Sequence, residues 1–355
     1  MNKIVIHVDS LRRDGAERVS VNLAKYLTAH GVCCTLVTER VADFEYDCPE
    51  GVERISLGVH GNKYAHYLGN VVKFRRILKD LKPDTLLVMD TPGCLLAIPA
   101  ARGLGLKSVV SERNDPTHFP GKAIVARVAR YLMSKADGFV FQTEDAADFY
   151  NNFAKDRCAV IPNPLFVADL PTPIEGEREH EIVAAGRLTS QKNQELLINA
   201  FSRVHPDFPG WTLRIYGEGE LRETLEKQIE KLKLGGNVAL PGNKPDLLDR
   251  IKTASVFVMP SDFEGMPNAL LEAMSLGLAC ISTDCPIGGP RAVIESGQNG
   301  ILTKVGDIGE LEAALRMLLE DEEKRRKLAH SAVGIRKRLD SDVICRQWQN
   351  YLESL

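Results

Sequence analysis

The sequence predicts an α/β protein with two Rossmann-like, doubly wound parallel-sheet domains in tandem. Two series of short apolar, strand-like runs alternate with helical patterns, which is typical of parallel sheets covered by helices. The 355 residues, of which 44% are hydrophobic, exceed the needs of one ordinary core and favour two domains. Residues 163–180 separate the two series, are rich in Pro and charge, and lack periodicity, as a linker does.

The strand-like runs set the domain boundaries. The first series covers residues 3–9, 33–38, 85–90, 107–111, 138–142 and 158–162. The second series covers residues 181–185, 212–216, 237–240, 255–259, 279–283 and 300–303. We therefore predict an N-terminal domain over residues 1–165, a C-terminal domain over 166–335, and a terminal segment, 336–355, that holds one last helix over about 341–354.

Composition and charge exclude several classes of protein. A net charge of -3 gives no overall footprint of a nucleic-acid-binding protein. The eight cysteines include no C-x-x-C pair and several lie in apolar runs, so we expect buried free thiols in a reducing cytosol. The first three residues lead directly into a strand without a signal-peptide core, and the longest apolar stretch, near 94–101, is too short to span a membrane. We therefore expect a soluble, cytoplasmic protein.

Two loops of the first domain are candidate ligand sites. Gly15 follows the first strand and would let the backbone approach a ligand, the alternative being a tight turn. The turn lacks G-x-G-x-x-G, which argues against a nicotinamide cofactor. Residues 111–118 place several polar side chains directly after a buried strand, which is costly unless they line a cleft. Glu112, Arg113 and His118 are the candidates, the alternative is a capped surface turn, and the sequence leaves open which of them faces a substrate.

The first domain also carries the cationic segments of the chain. Residues 60–82 hold six Lys/Arg against one acid, and residues 102–135 hold seven against two. Residues 1–165 contain 22 basic and 19 acidic residues, whereas the remainder contains 23 and 29. A peripheral contact of this domain with an anionic membrane, at the inner face of the cytoplasmic membrane, is one interpretation. The other is a set of helices with charged outer faces packed on a sheet, and the sequence leaves both open.

In the second domain, a strand-to-helix junction carries two carboxylates. Pro267 suits the first helical position, so the amides of the next three residues, Asn268, Ala269 and Leu270, are expected to point out of the helix and form an anion site. Glu264 lies in the loop before the helix and Glu272 about one turn inside it. Beside a phosphate, carboxylates are tolerated when they accept hydrogen bonds from neutral hydroxyls. The junction therefore predicts a site for a sugar attached to a phosphorylated nucleotide.

A second loop predicts phosphate binding at the same edge of that sheet. Arg187 and Lys192 lie five residues apart after the first strand of the second domain. Arg offers a bidentate contact to phosphate and Lys a point charge. Either alone would be an ordinary surface residue, but together with the helix start at Asn268 they form a predicted diphosphate clamp.

These motifs resemble those of glycosyltransferase family 4, the retaining GT-B transferases, of the type that assembles bacterial surface polysaccharides and oligosaccharides. The resemblance spans residues 15 to 300, in the right order, and rests on Gly15-Ala-Glu-Arg18, Gly186-Arg-Leu-x-x-x-Lys192-Asn193, the E-x7-E of Glu264 and Glu272, Asp284-Cys-Pro-Ile-Gly-Gly-Pro290, and Asn299-Gly300. It implies a GT-B fold, with two Rossmann-like domains facing a central cleft and the terminal helix packing back on the first domain.

The resemblance also implies a role for each matched position. Arg187 and Lys192 would hold the donor diphosphate, Glu264 would bind the transferred sugar, and Glu272 would bind the ribose. A polar side chain of the 111–118 loop would approach the sugar. The implied catalytic set is Glu264, Arg187, Lys192, Glu112 and His118, and the implied donor-binding set is Gly15, Arg113, Gly186, Asn243, Lys244, Gly265, Met266, Asn268, Ala269 and Glu272.

The expected activity follows from this resemblance. It is a metal-independent, retaining transfer of a hexose or N-acetylhexosamine from a nucleotide diphosphate sugar, with a UDP-sugar favoured over GDP-mannose, to a lipid-linked or polysaccharide-precursor glycan. No cofactor is expected, and the clear D-x-D, Asp340-Ser-Asp342, is interpreted as a helix cap. The alternatives are a GT-B nucleotide-sugar epimerase and a non-catalytic nucleotide-sugar-binding protein.

Overall fold

The computed structural model describes residues 1–12, 15–58 and 67–355, which fold as two compact units. The first unit consists of Met1–Pro164 together with Ser341–Leu355, and the second of Leu165–Asp340. Residues 336–340, placed in the terminal segment from sequence, therefore belong to the second unit. Lys63, one of the cations counted from sequence, lies outside the described residues.

The first unit is built on a sheet of seven parallel strands in the order β3-β2-β1-β4-β5-β6-β7. The strands are β1 (Lys3–Val8), β2 (Cys33–Thr38), β3 (Glu53–Ser56), β4 (Thr85–Val88), β5 (Lys107–Ser111), β6 (Gly138–Phe141) and β7 (Cys158–Val160). The helices of the described part are α1 (Gly15–Ala29), α2 (Tyr67–Leu81), α3 (Cys94–Ala101), α4 (Ala123–Met133), α5 (Glu144–Phe149) and α6 (Asn151–Ala154).

Helices cover both faces of this sheet, which explains why its central strands are continuous apolar runs. Ile4, Val5 and Ile6 of β1 are fully buried. Right-handed crossovers place α2, α3 and α4 on one face, where α3 packs against both of the others. Strand β3 was not predicted, because it is a half-exposed edge strand with two charged residues among its four.

The second unit contains a sheet of six parallel strands in the order β10-β9-β8-β11-β12-β13. The strands are β8 (Glu179–Ala185), β9 (Thr212–Tyr216), β10 (Val238–Ala239), β11 (Ala254–Met259), β12 (Ala279–Thr283) and β13 (Ile301–Thr303). The helices are α7 (Gln194–Val204), α8 (Arg222–Lys231), α9 (Leu247–Ile251), α10 (Asn268–Ser275), α11 (Ile308–Glu320), α12 (Glu322–Ala332) and α13 (Ile335–Arg338).

The strand order of the second sheet locates its ligand crevice. The order reverses between β8 and β11, and open α/β sheets bind ligands outside the carboxyl ends of the strands at such a switch point. One apolar core joins the sheet to its helices and includes Leu197, Phe201 and Leu315. The loops after β8 and β11 therefore extend from a well-packed sheet at the place where a ligand is expected.

The terminal helix α14 (Ser341–Ser354) is part of the first unit and packs against α1. Ile344, Trp348 and Leu352 are buried along one stripe of this helix, whose range agrees with the predicted 341–354. The hydroxyl of Tyr351 donates to the carbonyl of Arg157 at 2.6 Å. Because α14 begins at Ser341, Asp340 occupies the residue before the helix, where a cap was predicted.

Two details at α10 correct the prediction of an open helix start. The helix begins at Asn268, and Pro267 precedes it in an extended conformation with φ -82° and ψ 111°, so its placement as the first helical residue is wrong. The amide of Leu270 donates to the carbonyl of Pro267 at 3.1 Å and therefore does not point out of the helix. At its other end, Gly277 follows the helix with φ +72°, a conformation that glycine adopts readily after a helix.

All eight cysteines are free thiols in this structure. The prediction that they are buried is confirmed for five of them, but Cys33 and Cys48 are exposed and Cys158 is half-buried. The buried thiols are Cys34, Cys94, Cys280, Cys285 and Cys345. Over the described ranges, no helix combines the length and apolar character needed to cross a bilayer.

Candidate functional site

Two loops at the switch point of the second sheet form the candidate site. The Arg187 loop, residues 186–193, follows β8, and the Glu264 loop, residues 260–267, follows β11. Strands β8 and β11 are hydrogen-bonded neighbours, so both loops leave the sheet side by side. The sequence-based prediction that these loops share one crevice edge therefore agrees with the topology.

Hydrogen bonds tie the two loops directly to each other. The amide of Asp262 donates to the carbonyl of Gln191 at 2.8 Å, and the Gln191 side-chain amide donates to the carbonyl of Phe263 at 3.0 Å. The Asn193 side-chain amide donates to the carboxylate of Asp262 at 2.7 Å. Because main chain and side chains both take part, the loops are held in a fixed relative position.

The charged residues at the centre of the site are paired. The Lys192 ammonium donates to Oε1 of Glu264, and the two side chains are only 17% and 8% exposed. Charges this poorly solvated depend on each other, since removal of one leaves the other without a compensating partner. The structure thus joins one member of the predicted diphosphate clamp to the carboxylate predicted to bind the sugar.

Arg187 differs from Lys192 because it is exposed at the rim of the site. Its Nη2 lies 3.4 Å from Oε1 of Gln191, which is long for a hydrogen bond. A solvated guanidinium on a long side chain can turn toward an incoming anion at little cost. The site therefore presents one fixed cation and one adjustable cation.

Two glycines that were not predicted as site residues, Gly217 and Gly219, pack against the Arg187 loop on its other side. A Cβ at Gly217 would lie 1.9 Å from the carbonyl oxygen of Gly186, and one at Gly219 would lie 2.3 Å from that of Leu188. The Leu188 amide donates to the carbonyl of Glu218 at 2.9 Å. The sequence signal was the Gly-x-Gly directly after the strand-like run at 212–216, which allows such a close backbone approach.

A third loop, residues 284–290, supports the Glu264 loop from the opposite side. A Cβ at Gly289 would lie 1.7 Å from the carbonyl oxygen of Gly265, so the two backbones touch. The carbonyl of Ser261 accepts from the Thr283 hydroxyl at 2.5 Å and from the Cys285 thiol at 3.1 Å. The loop that carries Glu264 is therefore enclosed between two neighbours and has little freedom to move.

The remaining predicted residues of the second unit lie on adjacent elements. Glu272 is buried within α10, whereas Asn268 and Ala269 are half-exposed at its start. Asn243 and Lys244 follow β10, beyond β9 at the edge of the sheet. The carbonyl of Gly242 in that turn accepts from the Gly217 amide at 3.2 Å, which connects the turn through the glycine loop to the Arg187 loop.

In the first unit, the carboxylate of Glu112 is buried and accepts hydrogen bonds from its own loop and from two hydroxyl groups outside that loop. Oε2 accepts from the hydroxyl of Thr91 and, at 3.2 Å, from that of Tyr150. Oε1 accepts from the amides of Arg113 at 3.0 Å and Asn114 at 3.2 Å. Burial raises the pKa of this carboxyl group above its ordinary value. The geometry favours a positioning role for Glu112, and the predicted contact with a substrate stays a prediction.

Arg113 is also directed into the unit. Its guanidinium donates to the side-chain oxygen of Asn163 and lies 5.8 Å from the ring centroid of Trp348 in α14. Burial lowers the pKa of Arg113 to about 9. The side chain thus links the loop after β5 to Asn163 and to the terminal helix. Its predicted contact with the donor stays a prediction.

His118 is the exposed member of the three candidates in this loop. Its Nδ1 lies 2.9 Å from Oδ2 of Asp115, a carboxylate with no exposed side-chain surface, while the His118 side chain is 46% exposed. Asp115 also accepts from the amide of Thr117 at 2.8 Å. A carboxylate in this position fixes the imidazole orientation and makes Nδ1 the donor. Gly15, the other candidate of this unit, is exposed at the start of α1.

No three His, Cys, Asp or Glu side chains in the described parts of the chain come together as a metal site requires. The charged side chains of the two loops at the switch point of the second sheet are those of Arg187, Lys192, Asp262 and Glu264.

Fold and site together define a class of α/β protein with two Rossmann-like units, the second of which has Arg187 and Lys192 at the switch point of its sheet. The model described as "Glycosyltransferase Family 4" matches residues 13–167, and "Glycosyl transferases group 1" matches residues 172–333. The two matches together cover most of the chain, and the chain belongs to this family of glycosyltransferases. The resemblance predicted from the motifs is confirmed.

Individual relatives match this chain along nearly its full length. An uncharacterized glycosyltransferase of Haemophilus influenzae is 26% identical, over 95% of this chain and 96% of the relative. An N-acetylgalactosamine-N,N'-diacetylbacillosaminyl-diphospho-undecaprenol 4-alpha-N-acetylgalactosaminyltransferase of Campylobacter jejuni is 25% identical, over 99% and 100%. The crystal structure of Anabaena HepE in complex with UDP and glucose matches with a TM-score of 0.85 and 20% identity, over 100% of both chains, which confirms the predicted fold.

Proposed function

We propose that this glycosyltransferase moves a hexose or N-acetylhexosamine from a UDP-sugar to a lipid-linked or polysaccharide-precursor glycan, with retention of configuration and without a metal ion. The observation that carries the proposal is the Lys192–Glu264 pair, held between hydrogen-bonded loops beside Arg187. It combines cations for a diphosphate with a carboxylate for sugar hydroxyls. The names of the relatives support the substrate classes, since the Campylobacter protein is a transferase for a diphospho-undecaprenol glycan and HepE was crystallised with UDP and glucose.

We assign the donor diphosphate to Lys192, Arg187 and the start of α10. The Lys192 ammonium has three N–H groups and gives one to Glu264, so others remain for phosphate oxygens. Arg187 turns from solvent to make a bidentate contact. The positive end of the α10 dipole adds to both. This arrangement stabilises the negative charge that grows on the departing nucleoside diphosphate.

We assign the sugar and the ribose to the two carboxylates. Glu264 accepts hydrogen bonds from hydroxyls of the transferred sugar close to the reacting carbon, and its pairing with Lys192 sets the carboxylate orientation. Glu272, about one turn inside α10, accepts from the ribose hydroxyls. The turn at Asn243 and Lys244 contributes to the pocket for the base.

The reaction we propose needs no protein nucleophile. The bond between the anomeric carbon and the diphosphate oxygen breaks while the acceptor hydroxyl approaches from the same face. The departing phosphate oxygen accepts the hydroxyl proton as the new glycosidic bond forms, which retains the configuration. The cations stabilise the leaving group in the way that a metal ion does in other phosphate chemistry.

In the first unit we assign the acceptor to the loop of residues 111–118. His118 is the exposed polar side chain there, and Asp115 holds its ring. Glu112 and Arg113 support the loop from inside the unit. We also propose a peripheral contact of this unit with an anionic membrane, where a lipid-linked acceptor would be found.

A donor panel followed by product analysis tests the proposal. Thermal unfolding is measured with UDP-glucose, UDP-galactose, their N-acetylamino counterparts and GDP-mannose, because a bound ligand raises the unfolding temperature according to its affinity. The best donor is then incubated with polyprenyl-diphosphate glycans in the presence of EDTA, and the product anomer is assigned by NMR. Transfer from a UDP-sugar with retention is expected. An inverted product, a strict metal requirement or an isomerised donor without transfer would contradict the proposal.

A further inference from the structure

Helix α4 exposes apolar side chains on the side that faces away from its sheet. Ile124 is 61% exposed, Val128 44% and Tyr131 62%. Their spacing of four and three residues places them on one stripe of the helix. The opposite side buries Ala126, Ala129 and Met133 against the first unit. A helix packed on a sheet ordinarily shows a polar outer face, so this one has apolar surface left over after folding.

The same stripe is cationic. Arg127 and Lys135 are exposed at the positions between and after the apolar residues, and Lys122 is exposed just before the helix. Residues 116–136 contain neither Asp nor Glu. The Lys135 ammonium lies 4.6 Å from the Tyr131 ring centroid. We define the α4 face as Ile124, Arg127, Val128, Tyr131 and Lys135.

The neighbouring helix on this face of the sheet has a similar outer side. Leu68 and Val72 of α2 are 76% and 58% exposed, and further along Arg76 and Lys79 are exposed together with one acid, Asp80. Helix α3 packs against both α2 and α4, so the three form one layer. An outward apolar and basic surface therefore extends over more than one helix.

We propose that this layer, centred on the α4 face, docks the protein on a lipid bilayer with anionic headgroups. The α4 face has aliphatic and aromatic side chains among Lys and Arg, without acids, which is the composition of helices that lie in a membrane interface. Protein-binding surfaces are instead depleted in Lys at their core. The inference deepens the proposed function, because it names the surface that meets the membrane in which a lipid-linked acceptor resides.

Vesicle co-sedimentation of the full-length protein tests the docking surface. Vesicles of phosphatidylcholine alone are compared with vesicles that also contain phosphatidylglycerol, at low and high salt. The variant Ile124→Gln/Val128→Gln/Tyr131→Gln removes the apolar stripe, and Arg127→Gln/Lys135→Gln removes its charge. The matched control, Val343→Gln/Arg346→Gln, alters an exposed apolar residue and an exposed cation on α14, at the other face of the same sheet.

The wild-type protein and the control are expected to bind the anionic vesicles and to bind less at high salt. Loss of each cation lowers the partition coefficient about fivefold, and loss of the apolar stripe lowers it by at least as much. Equal binding by the α4 variants and the wild type would overturn the proposal, as would an equal loss in the control. A dimer in sedimentation equilibrium that the apolar variant dissociates would assign the face to self-association instead.

The vesicle assay uses no substrate, so it is independent of the transfer reaction. Thermal stabilisation by the donor is expected to be the same in every variant, because the α4 face belongs to the first unit and the assigned donor groups to the second. Absence of vesicle binding together with normal transfer to a water-soluble acceptor would refute the docking surface and leave the proposed function standing.

Discussion

Gly289 allows a sharp test of how the Glu264 loop is held. A Cβ added at this residue would lie 1.7 Å from the carbonyl oxygen and 2.7 Å from the carbonyl carbon of Gly265. Both distances are too short for any real contact, and the atoms it meets are backbone. The Gly289→Ala variant can therefore fold only if one of the two loops moves, and the Glu264 loop carries the carboxylate that we assign to the donor sugar.

The expected cost follows from this overlap. Steric insertions into packed regions cost about 1–3 kcal/mol, and each kcal/mol lowers the unfolding temperature of a unit this size by about 2–4 °C. Thermal unfolding should therefore occur roughly 2–12 °C lower in Gly289→Ala. Donor affinity should fall as well, because the displaced loop carries Glu264 away from Lys192.

Gly210→Ala is the matched control. A Cβ at Gly210 meets no atom within 4 Å, and its backbone does not need a positive φ. This variant is expected to unfold at the wild-type temperature or slightly above it, because Ala restricts the unfolded chain. Unchanged stability and unchanged donor affinity in Gly289→Ala would show that the two loops are not in contact and would refute the reasoning.

Two further predictions concern the carboxyl groups. Glu272→Ala should weaken donor binding by about 1–3 kcal/mol, the cost of a lost hydrogen bond to a charged group. Titration calorimetry with UDP and with the UDP-sugar should give the same loss for both ligands. An effect limited to the sugar nucleotide would contradict the ribose assignment. Glu112 has a pKa raised by burial above its ordinary value of 4.5, so its protonation stabilises the folded state at low pH and this contribution is lost as pH rises through the raised pKa. The free energy of unfolding of the wild type should therefore fall relative to that of Glu112→Gln as pH rises from 4.5 through that raised pKa. If denaturant unfolding gave the same difference in free energy between the two proteins across this pH range, the raised pKa of Glu112 would be contradicted.

The fold was predictable because both sheets are buried on both faces. Such strands are continuous apolar runs, and they alternate with helices that begin and end at recognisable residues, of which Gly277 is an example. Strand β3 was missed because none of its four residues is fully buried and two of them are charged, so no apolar run distinguishes it. The position of Pro267 was missed by one residue, since proline is compatible with both the first helical position and the residue before it.

The site was predictable only as a set of chemical groups. The types and spacing of Arg187, Lys192 and Glu264 indicate anion and sugar binding without a structure. Their support is invisible in the sequence, because the approach of Gly289 to Gly265 joins residues of different loops. The same holds for Glu112, whose four donors come from three elements and give it an internal role that polar composition alone does not reveal.

The most direct test of the account is sugar transfer by Lys192→Ala and Glu264→Ala. Both residues are assigned contacts with the donor that strengthen as the leaving group departs, so each substitution should lower kcat/KM by about a hundredfold or more. Lys304→Ala is the control, because Lys304 forms an ion pair with Glu310 in the same unit but is 78% exposed. The account predicts a loss of transfer in both site variants, with their folds intact by circular dichroism, and normal transfer in the control. Normal transfer by either Lys192→Ala or Glu264→Ala would contradict the assignment of the active site.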